Sequence, residues 1–281
     1  PFTNVVQVFP RAPLVATRLL RRWLADRPES FHNFYGRTAG LGGLNDALPL
    51  WDRFLGADRN STAVSLSEST CAEMRRFFAA WTAAFGRPVV SKCNRLIVAA
   101  DQVAAALPEA IIVCLQRDPF AHACSLWEAR RMIHGDLRSP YGASSSDHQD
   151  AVDPVESVCQ QVKYSHDLVR KQQSVIGSDR FWALSYEQFC RSPDGLVNRV
   201  AQALFPDGAP EGIRPTPPHE VRNGARLSAD VLSRMKERLG ELGLDPTRDE
   251  RRHFDHSESG VRPPLGFEPQ ADPLSYQGGK E

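Results

Sequence analysis

A buried-strand pattern that ends at a helix-start signal constrains the fold of this chain more than any other feature. Residues 110–115 are apolar throughout and rich in β-branched side chains, which predicts a strand of a parallel sheet. Asp118 and Pro119 follow, and these residue types are preferred at the N-cap and the first position of a helix. Arg117 therefore lies where a strand ends and a helix begins, with Ser125 about two turns into that helix. A guanidinium and a hydroxyl in this arrangement can bind a phosphate.

Upstream of this junction, the sequence predicts a strand and a helix on either side of a polar loop. Val89 and Val90 indicate a short strand, which leads into the loop Lys92-Cys93-Asn94-Arg95. An amphipathic helix is predicted over 97–107. We expect the strand near Val89, residues 111–115 and residues 181–185 to lie parallel in one sheet, with helices on both faces.

Downstream, residues 180–189 form a second apolar segment, predicted as a strand that ends in Tyr186-Glu187. An amphipathic helix through Phe205 follows. A basic segment around Arg222 and Gly224 precedes another predicted helix. Helical spacing and capping residues predict the longest further helices over 14–24, 70–85, 155–175 and 228–242.

The Arg117-Asp118-Pro119 element with Ser125 resembles the 3′-phosphate-binding element of sulfotransferases that use PAPS (3′-phosphoadenosine 5′-phosphosulfate). The order of the four segments over residues 88–242 is similar to that of bacterial members of this family. The resemblance implies an α/β fold of the P-loop-containing nucleotide hydrolase type, with three α/β/α layers around a central parallel sheet. It also implies that Lys92 lies near the transferred sulfuryl group, and that Arg117 and Ser125 bind the 3′-phosphate. The remaining cofactor-binding residues implied by the resemblance are Tyr186 and Arg222.

The amino terminus departs from the family pattern. PAPS-dependent sulfotransferases open with a strand and a loop like Pro-Arg-Ser-Gly-Thr-Thr, whose amides hold the 5′-phosphosulfate. Here residues 5–9 have an apolar, strand-like start, but residues 10–14 lack glycine and carry prolines where amide donors are needed. Either the chain begins after the phosphate loop, which we favour, or the loop is degenerate. On the first interpretation the first strand is missing, and we expect residues 1–281 alone to show no sulfuryl transfer.

The implied reaction is direct transfer of a sulfuryl group from PAPS, without a metal, to a hydroxyl or amine of a small-molecule, carbohydrate or lipid acceptor. Asn94 stands where cytosolic sulfotransferases carry a histidine base, and an amide cannot accept the proton. His32, Asp46 and His134 are the remaining candidates for the base, and we favour His32. The alternative function is a catalytically inactive module of the same fold that binds a nucleotide or a protein. A P-loop kinase or hydrolase is disfavoured because the chain has no Gly-Lys-Ser/Thr loop.

Composition bounds the class of protein. The chain has 34 basic and 34 acidic residues, so its formal net charge gives no attraction to nucleic acid or to an anionic membrane. No apolar run approaches the roughly 20 residues that a membrane span needs, and we expect a cytoplasmic protein. The six cysteines form no Cys-x-x-Cys pair, which predicts buried free thiols and no metal site. We expect one domain over 1–256 and a poorly ordered tail over 257–281, which is rich in Pro, Gly and Ser.

Overall fold

The structure, a computed structural model, describes residues 2–24, 33–34, 37–38, 40–59, 64–145, 153–208, 213–221 and 227–244. The helices are α1 (Asn4–Val8), α2 (Pro13–Leu24), α3 (Leu48–Leu55), α4 (Glu68–Phe85), α5 (Ala100–Ala106), α6 (Pro119–His134), α7 (Pro154–Ile176), α8 (Tyr186–Arg191), α9 (Pro193–Leu204) and α10 (Ala229–Glu241), with a 3₁₀ turn over Asn94–Ala99. The strands are β1 (Asn33–Phe34), β2 (Arg37–Thr38), β3 (Ile112–Gln116) and β4 (Phe181–Ser185). The predicted tail over 257–281 lies outside the described residues.

β3 and β4 form a parallel pair at the centre of the α/β arrangement. Their register runs from Ile112 opposite Phe181 to Gln116 opposite Ser185. The connection passes through α6 and α7, as a parallel pair requires a long crossover. The prediction of two parallel strands at these positions is confirmed, and both strands end at the same edge of the sheet.

The two faces of this strand pair are covered to different extents. On one face, Ile112 and Phe181 pack with Ala100 and Ala104 of α5 and Val169 of α7. Side chains alternate along a strand, so the neighbouring residues point to the opposite face. There the Arg199 guanidinium of α9 lies 4.1 Å from the ring centroid of Trp182. On that face of β3, Val113 and Leu115 are 37% and 41% exposed.

Two strand predictions are wrong. No strand forms at Val89 and Val90, and Val90 is 56% exposed. Residues 4–8 form the helix α1 instead of a strand-like start, with Val5 and Val6 buried and Val8 exposed. A short apolar run fits a strand and a buried helical turn equally well, so periodicity alone did not separate them.

The helices begin and end close to their predicted bounds. α4, α7 and α10 lie within two residues of the predictions, and α6 begins at Pro119 as expected. The Asp118 carboxylate accepts a 2.8 Å hydrogen bond from the backbone N–H of Ala121, which completes the predicted N-cap. The helix predicted over 97–107 begins as the 3₁₀ turn and continues as α5. Among the helices that the structure describes, none combines the length and apolar character needed to cross a bilayer.

Two buried arginines hold the helical parts together. Arg95 donates to the backbone oxygens of Leu55 and Asp58 at 2.8 and 2.6 Å, and so satisfies carbonyls at the end of α3. Arg130 of α6 is fully buried and donates to Ser157 Oγ at 2.9 Å and to Gln161 Oε1 at 2.7 Å, both on α7. Gln161 in turn donates to the carbonyls of Tyr141 and Ala143. These bonds fasten the loop after α6 to the α6–α7 pair.

Candidate anion-binding site at the ends of the parallel strands

The parallel register brings two predicted site residues together. Arg117 follows the end of β3 and Tyr186 follows the end of β4, at the same edge of the sheet. The guanidinium carbon of Arg117 lies 5.2 Å from the ring centroid of Tyr186, a cation–π distance. The Tyr186 ring thereby restricts the orientation of the Arg117 side chain at the strand ends.

Glu187 links the two strand ends through hydrogen bonds. Its Oε1 accepts from the backbone N–H of Asp118 at 3.0 Å, and its Oε2 accepts from the hydroxyl of Ser185 at 3.1 Å. Because Asp118 adjoins Arg117 in the chain, this carboxylate fixes the backbone from which the guanidinium extends. The sequence pointed to Tyr186 as a site residue but not to Glu187. The only signal was the polar residue beside Tyr186 at the strand end.

The amino terminus of α6 is already occupied by protein carboxylates. The Ala121 N–H binds the Asp118 side chain, and the Asp118 N–H binds Glu187. Pro119 has no N–H to offer. An anion at this junction therefore depends mainly on side chains. The Arg117 guanidinium is one cation placed there, and Lys236 Nζ of α10 lies 4.9 Å from the ring centroid of Phe120 in the first turn of α6.

Ser125 shares a helix face with the residues nearest this junction. Asp118, His122 and Ser125 are spaced by four and three residues, which places them in one row along α6. The His122 ring centroid lies 6.3 Å from that of His166 on α7. Burial lowers the pKa of His122 to about 4, with further contributions from the charges of His166 and Arg117. His122 is therefore neutral at neutral pH. The sequence did not point to it, because its half-buried position beside His166 arises only in the fold.

The hydroxyl of Tyr186 stays protonated at neutral pH. A hydrogen bond with the Cys190 side chain is the main cause that raises its pKa, followed by burial. Cys190 lies one turn later on α8 and is buried. This end of the site offers an aromatic ring and a neutral hydroxyl beside the arginine.

The second predicted cation, Lys92, forms an ion pair with Asp46. Its Nζ lies 2.7 Å from Oδ1 and 2.9 Å from Oδ2 of Asp46. The Lys92 side chain is 59% exposed, whereas that of Asp46 is only 17% exposed. From the sequence, Lys92 was predicted as a sulfuryl-binding cation and Asp46 as a candidate base, with no contact predicted between them. The contact joins residues 46 positions apart, which no local pattern reveals.

The remaining predicted site residues are His32, Arg222 and His134. His32 and Arg222 lie outside the described residues, and His134 is exposed in the last turn of α6. Burial raises the pKa of Cys93 to about 11, so the thiol beside Lys92 is uncharged. All six cysteines are free thiols, but only Cys124, Cys159 and Cys190 are buried as predicted, and the other three are half-buried. Within the described ranges, no group of three or more His, Cys, Asp or Glu side chains is placed to hold a metal.

Comparison with family models gives one match. Residues 5–205 match the model described as the sulfotransferase family. The matched range includes the strand pair, Arg117, Tyr186 and the Lys92–Asp46 pair. No curated protein and no solved structure matches the chain.

Proposed function

Because the chain belongs to the sulfotransferase family, we propose that it transfers a sulfuryl group from PAPS to a hydroxyl or amine of a small-molecule, carbohydrate or lipid acceptor. The observation that carries this proposal is the pairing of Arg117 with Tyr186 at the ends of two parallel strands. We further propose the three-layer α/β/α arrangement of P-loop-type folds around this strand pair. The coverage of one sheet face by α5 and α7, and the contact of α9 with the other, support it.

The residues at the strand ends fit the 3′-phosphate end of PAPS. A dianionic phosphate needs charged or polar donors, and the Arg117 guanidinium supplies up to two parallel hydrogen bonds. In the proposal, Ser125 adds a hydroxyl from α6, and the Tyr186 ring borders the nucleoside. Arg222 is proposed to add a second cation. Glu187 acts as a positioning residue, since its two hydrogen bonds hold the Arg117 backbone.

Lys92 and Asp46 fit the chemical step of the proposal. PAPS supplies an activated sulfuryl group, and a cation at the reacting centre offsets the charge that develops on the leaving oxygens. Lys92 is exposed enough to exchange its Asp46 partner for such an anion. His32 remains our proposed base, and Asp46 is the second candidate because an exchange of partners by Lys92 would leave its carboxylate able to accept a proton.

The alternative, a nucleotide- or protein-binding module without transfer activity, also has an observation in its favour. Residues 4–8 are helical, and Pro10 and Pro13 lack amide hydrogens. This stretch therefore does not supply the row of backbone donors that holds a 5′-phosphosulfate in the family. The two functions share Arg117 and differ in turnover, so binding and transfer must be measured separately.

Calorimetry with adenosine 3′,5′-bisphosphate and adenosine 5′-phosphate tests the binding half. Arg117→Ala should weaken the bisphosphate roughly ten- to a hundredfold and the monophosphate far less, because the guanidinium contacts only the 3′-phosphate. Arg191→Ala, which removes an exposed arginine at the C-terminal end of α8, serves as the matched control. Equal losses for both nucleotides would remove Arg117 from this role, and no binding by the unaltered chain would overturn the proposal.

Turnover is tested with PAPS carrying a radioactive sulfuryl group and a panel of phenols, amines, sugars and lipids. Transfer that is lost in Lys92→Gln supports the enzyme. Nucleotide binding without transfer to any acceptor, both by residues 1–281 and by a chain with the encoded upstream segment restored, supports the binding module instead.

A further inference from the structure

The first 24 residues carry positive charge without any acidic residue. They contain Arg11, Arg18, Arg21 and Arg22, and the first carboxylate in the chain is Asp26. Because the whole chain has equal numbers of basic and acidic residues, the remainder is net acidic. The zero net charge therefore conceals a local basic segment.

Helix α2 exposes apolar side chains on the same side as its arginines. Val15 is 56% exposed and Leu19 is 70% exposed, although they lie one turn apart on an ordered helix. Successive residues of a helix are rotated by about 100° around its axis. Going around α2 from the exposed Val15 towards the buried side, one therefore meets first Arg18 and then Arg21. Pro13, by contrast, is buried on the opposite side.

The turn between α1 and α2, next to this helix in the chain, also exposes apolar side chains. Val8 is 56% exposed and Phe9 is 43% exposed, and the Phe9 carbonyl accepts from the Ala12 N–H at 3.2 Å. Arg11 is exposed in this turn. We call the surface formed by Val8, Phe9, Val15 and Leu19 with Arg11, Arg18 and Arg21 the basic–apolar face.

Within the part of the chain that the structure describes, the three described arginines of the basic–apolar face, Arg11, Arg18 and Arg21, have no carboxylate partner. Elsewhere, exposed arginines do find such partners, for example Arg234 with Asp153. The positive charge of this face is therefore available to an external anion.

We propose that the basic–apolar face binds the surface of an anionic lipid bilayer. Large exposed apolar side chains beside arginines are the composition of helices that lie in the plane of a membrane interface. The apolar side chains enter the acyl boundary, and the long arginine side chains extend to lipid phosphates. This proposal is independent of sulfuryl transfer, because none of its residues belongs to the proposed active site.

Charge favours a bilayer over the other partners that an apolar face suggests. A second copy packed about a two-fold axis would place the arginines of both copies against each other, which is unfavourable. Nucleic acid offers phosphates but no apolar phase for Val15 and Leu19. An anionic bilayer supplies both the negative charge and the apolar phase.

Vesicle flotation with the full chain tests the proposal. The chain should float with vesicles of phosphatidylcholine and phosphatidylserine, bind pure phosphatidylcholine vesicles much less, and be released at high salt. Arg18→Gln/Arg21→Gln should lower the partition coefficient about twentyfold or more, at about fivefold per charge. Leu19→Gln should lower it on the order of tenfold because it removes an inserted apolar side chain.

The matched control is Arg87→Gln/Arg191→Gln, which removes two exposed arginines away from this face. Circular dichroism at each substitution verifies that the helices remain folded. The proposal is overturned if the chain does not bind anionic vesicles at low salt, or if the control variant weakens binding as much as the α2 variant. It is also overturned if the chain self-associates in solution through this face, shown by loss of a dimer in Leu19→Gln.

Discussion

The half-buried His122 makes the folded protein sensitive to mild acid. Its pKa falls from the ordinary histidine value of 6.5 to about 4 in the folded state, mainly through burial. Between these two values the unfolded chain binds a proton at this position and the folded chain does not. The free energy of unfolding must therefore decrease as the pH falls through this window.

The size of the effect follows from the two pKa values. A difference of about 2.5 units corresponds to at most about 3 kcal/mol once the pH lies below both values. Between pH 7 and pH 4.5, and with partial access of the ring to solvent, we expect His122 to account for roughly 1–2 kcal/mol of the lost stability.

Urea unfolding at pH 7 and pH 4.5 measures this loss. His122→Gln should lose roughly 1–2 kcal/mol less on acidification than the unaltered chain, whatever its own stability at pH 7. His219→Gln, at an exposed position, should lose as much as the unaltered chain. If His122→Gln and the unaltered chain lose equal stability, the inferred environment of His122 is wrong. The charge of Arg117 also contributes to the low pKa, so Arg117→Ala should raise the His122 pKa in an NMR titration.

Three further predictions concern the contacts described above. Glu187→Ala should lower the free energy of unfolding by roughly 2–4 kcal/mol in urea titrations and weaken bisphosphate binding. Glu187→Gln, which keeps one acceptor, should lose less stability and less affinity. Equal losses in the two variants would show that the charge of the carboxylate does not matter. Asp46→Asn should change the free energy of unfolding by less than about 1 kcal/mol, because its partner Lys92 is exposed. The same variant should reduce kcat, and an unchanged kcat would show that the ion pair takes no part in the reaction. Arg130→Met should cost roughly 3–5 kcal/mol in thermal or urea unfolding, since it leaves Ser157 and Gln161 buried without their donor; a loss below about 1 kcal/mol would contradict this.

Local signals in the sequence predicted the elements around Arg117. Asp118 and Pro119 mark the start of α6, and the apolar run before them is long enough to indicate β3. The same reasoning failed at Val89 and Val90, where two β-branched residues have no neighbouring strand to pair with in the described structure. It failed at residues 4–8 because the run is too short for its period to be determined.

The contacts that shape the candidate site could not be predicted from the sequence. Glu187 meets Asp118 across 69 residues, and Asp46 meets Lys92 across 46. Each partner is an ordinary surface-type residue in its own segment. Only the parallel register and the packing of the loops bring them to hydrogen-bonding distance. The local concentration of arginines in the first 24 residues, by contrast, is visible in the sequence but is hidden by the overall charge balance.

The long separation of β3 and β4 has a consequence for how the chain folds. The buried aromatic cluster, which includes Phe2, Trp51 and Trp81, is built almost wholly from residues that precede Pro108. The strand pair instead requires closure of a loop of 69 residues before its contacts form, which slows its formation. We therefore expect ligand binding to appear only with the slowest refolding phase in stopped-flow experiments. Nucleotide would then slow unfolding of the finished protein without accelerating its folding, and a nucleotide-dependent folding rate would contradict this order of events.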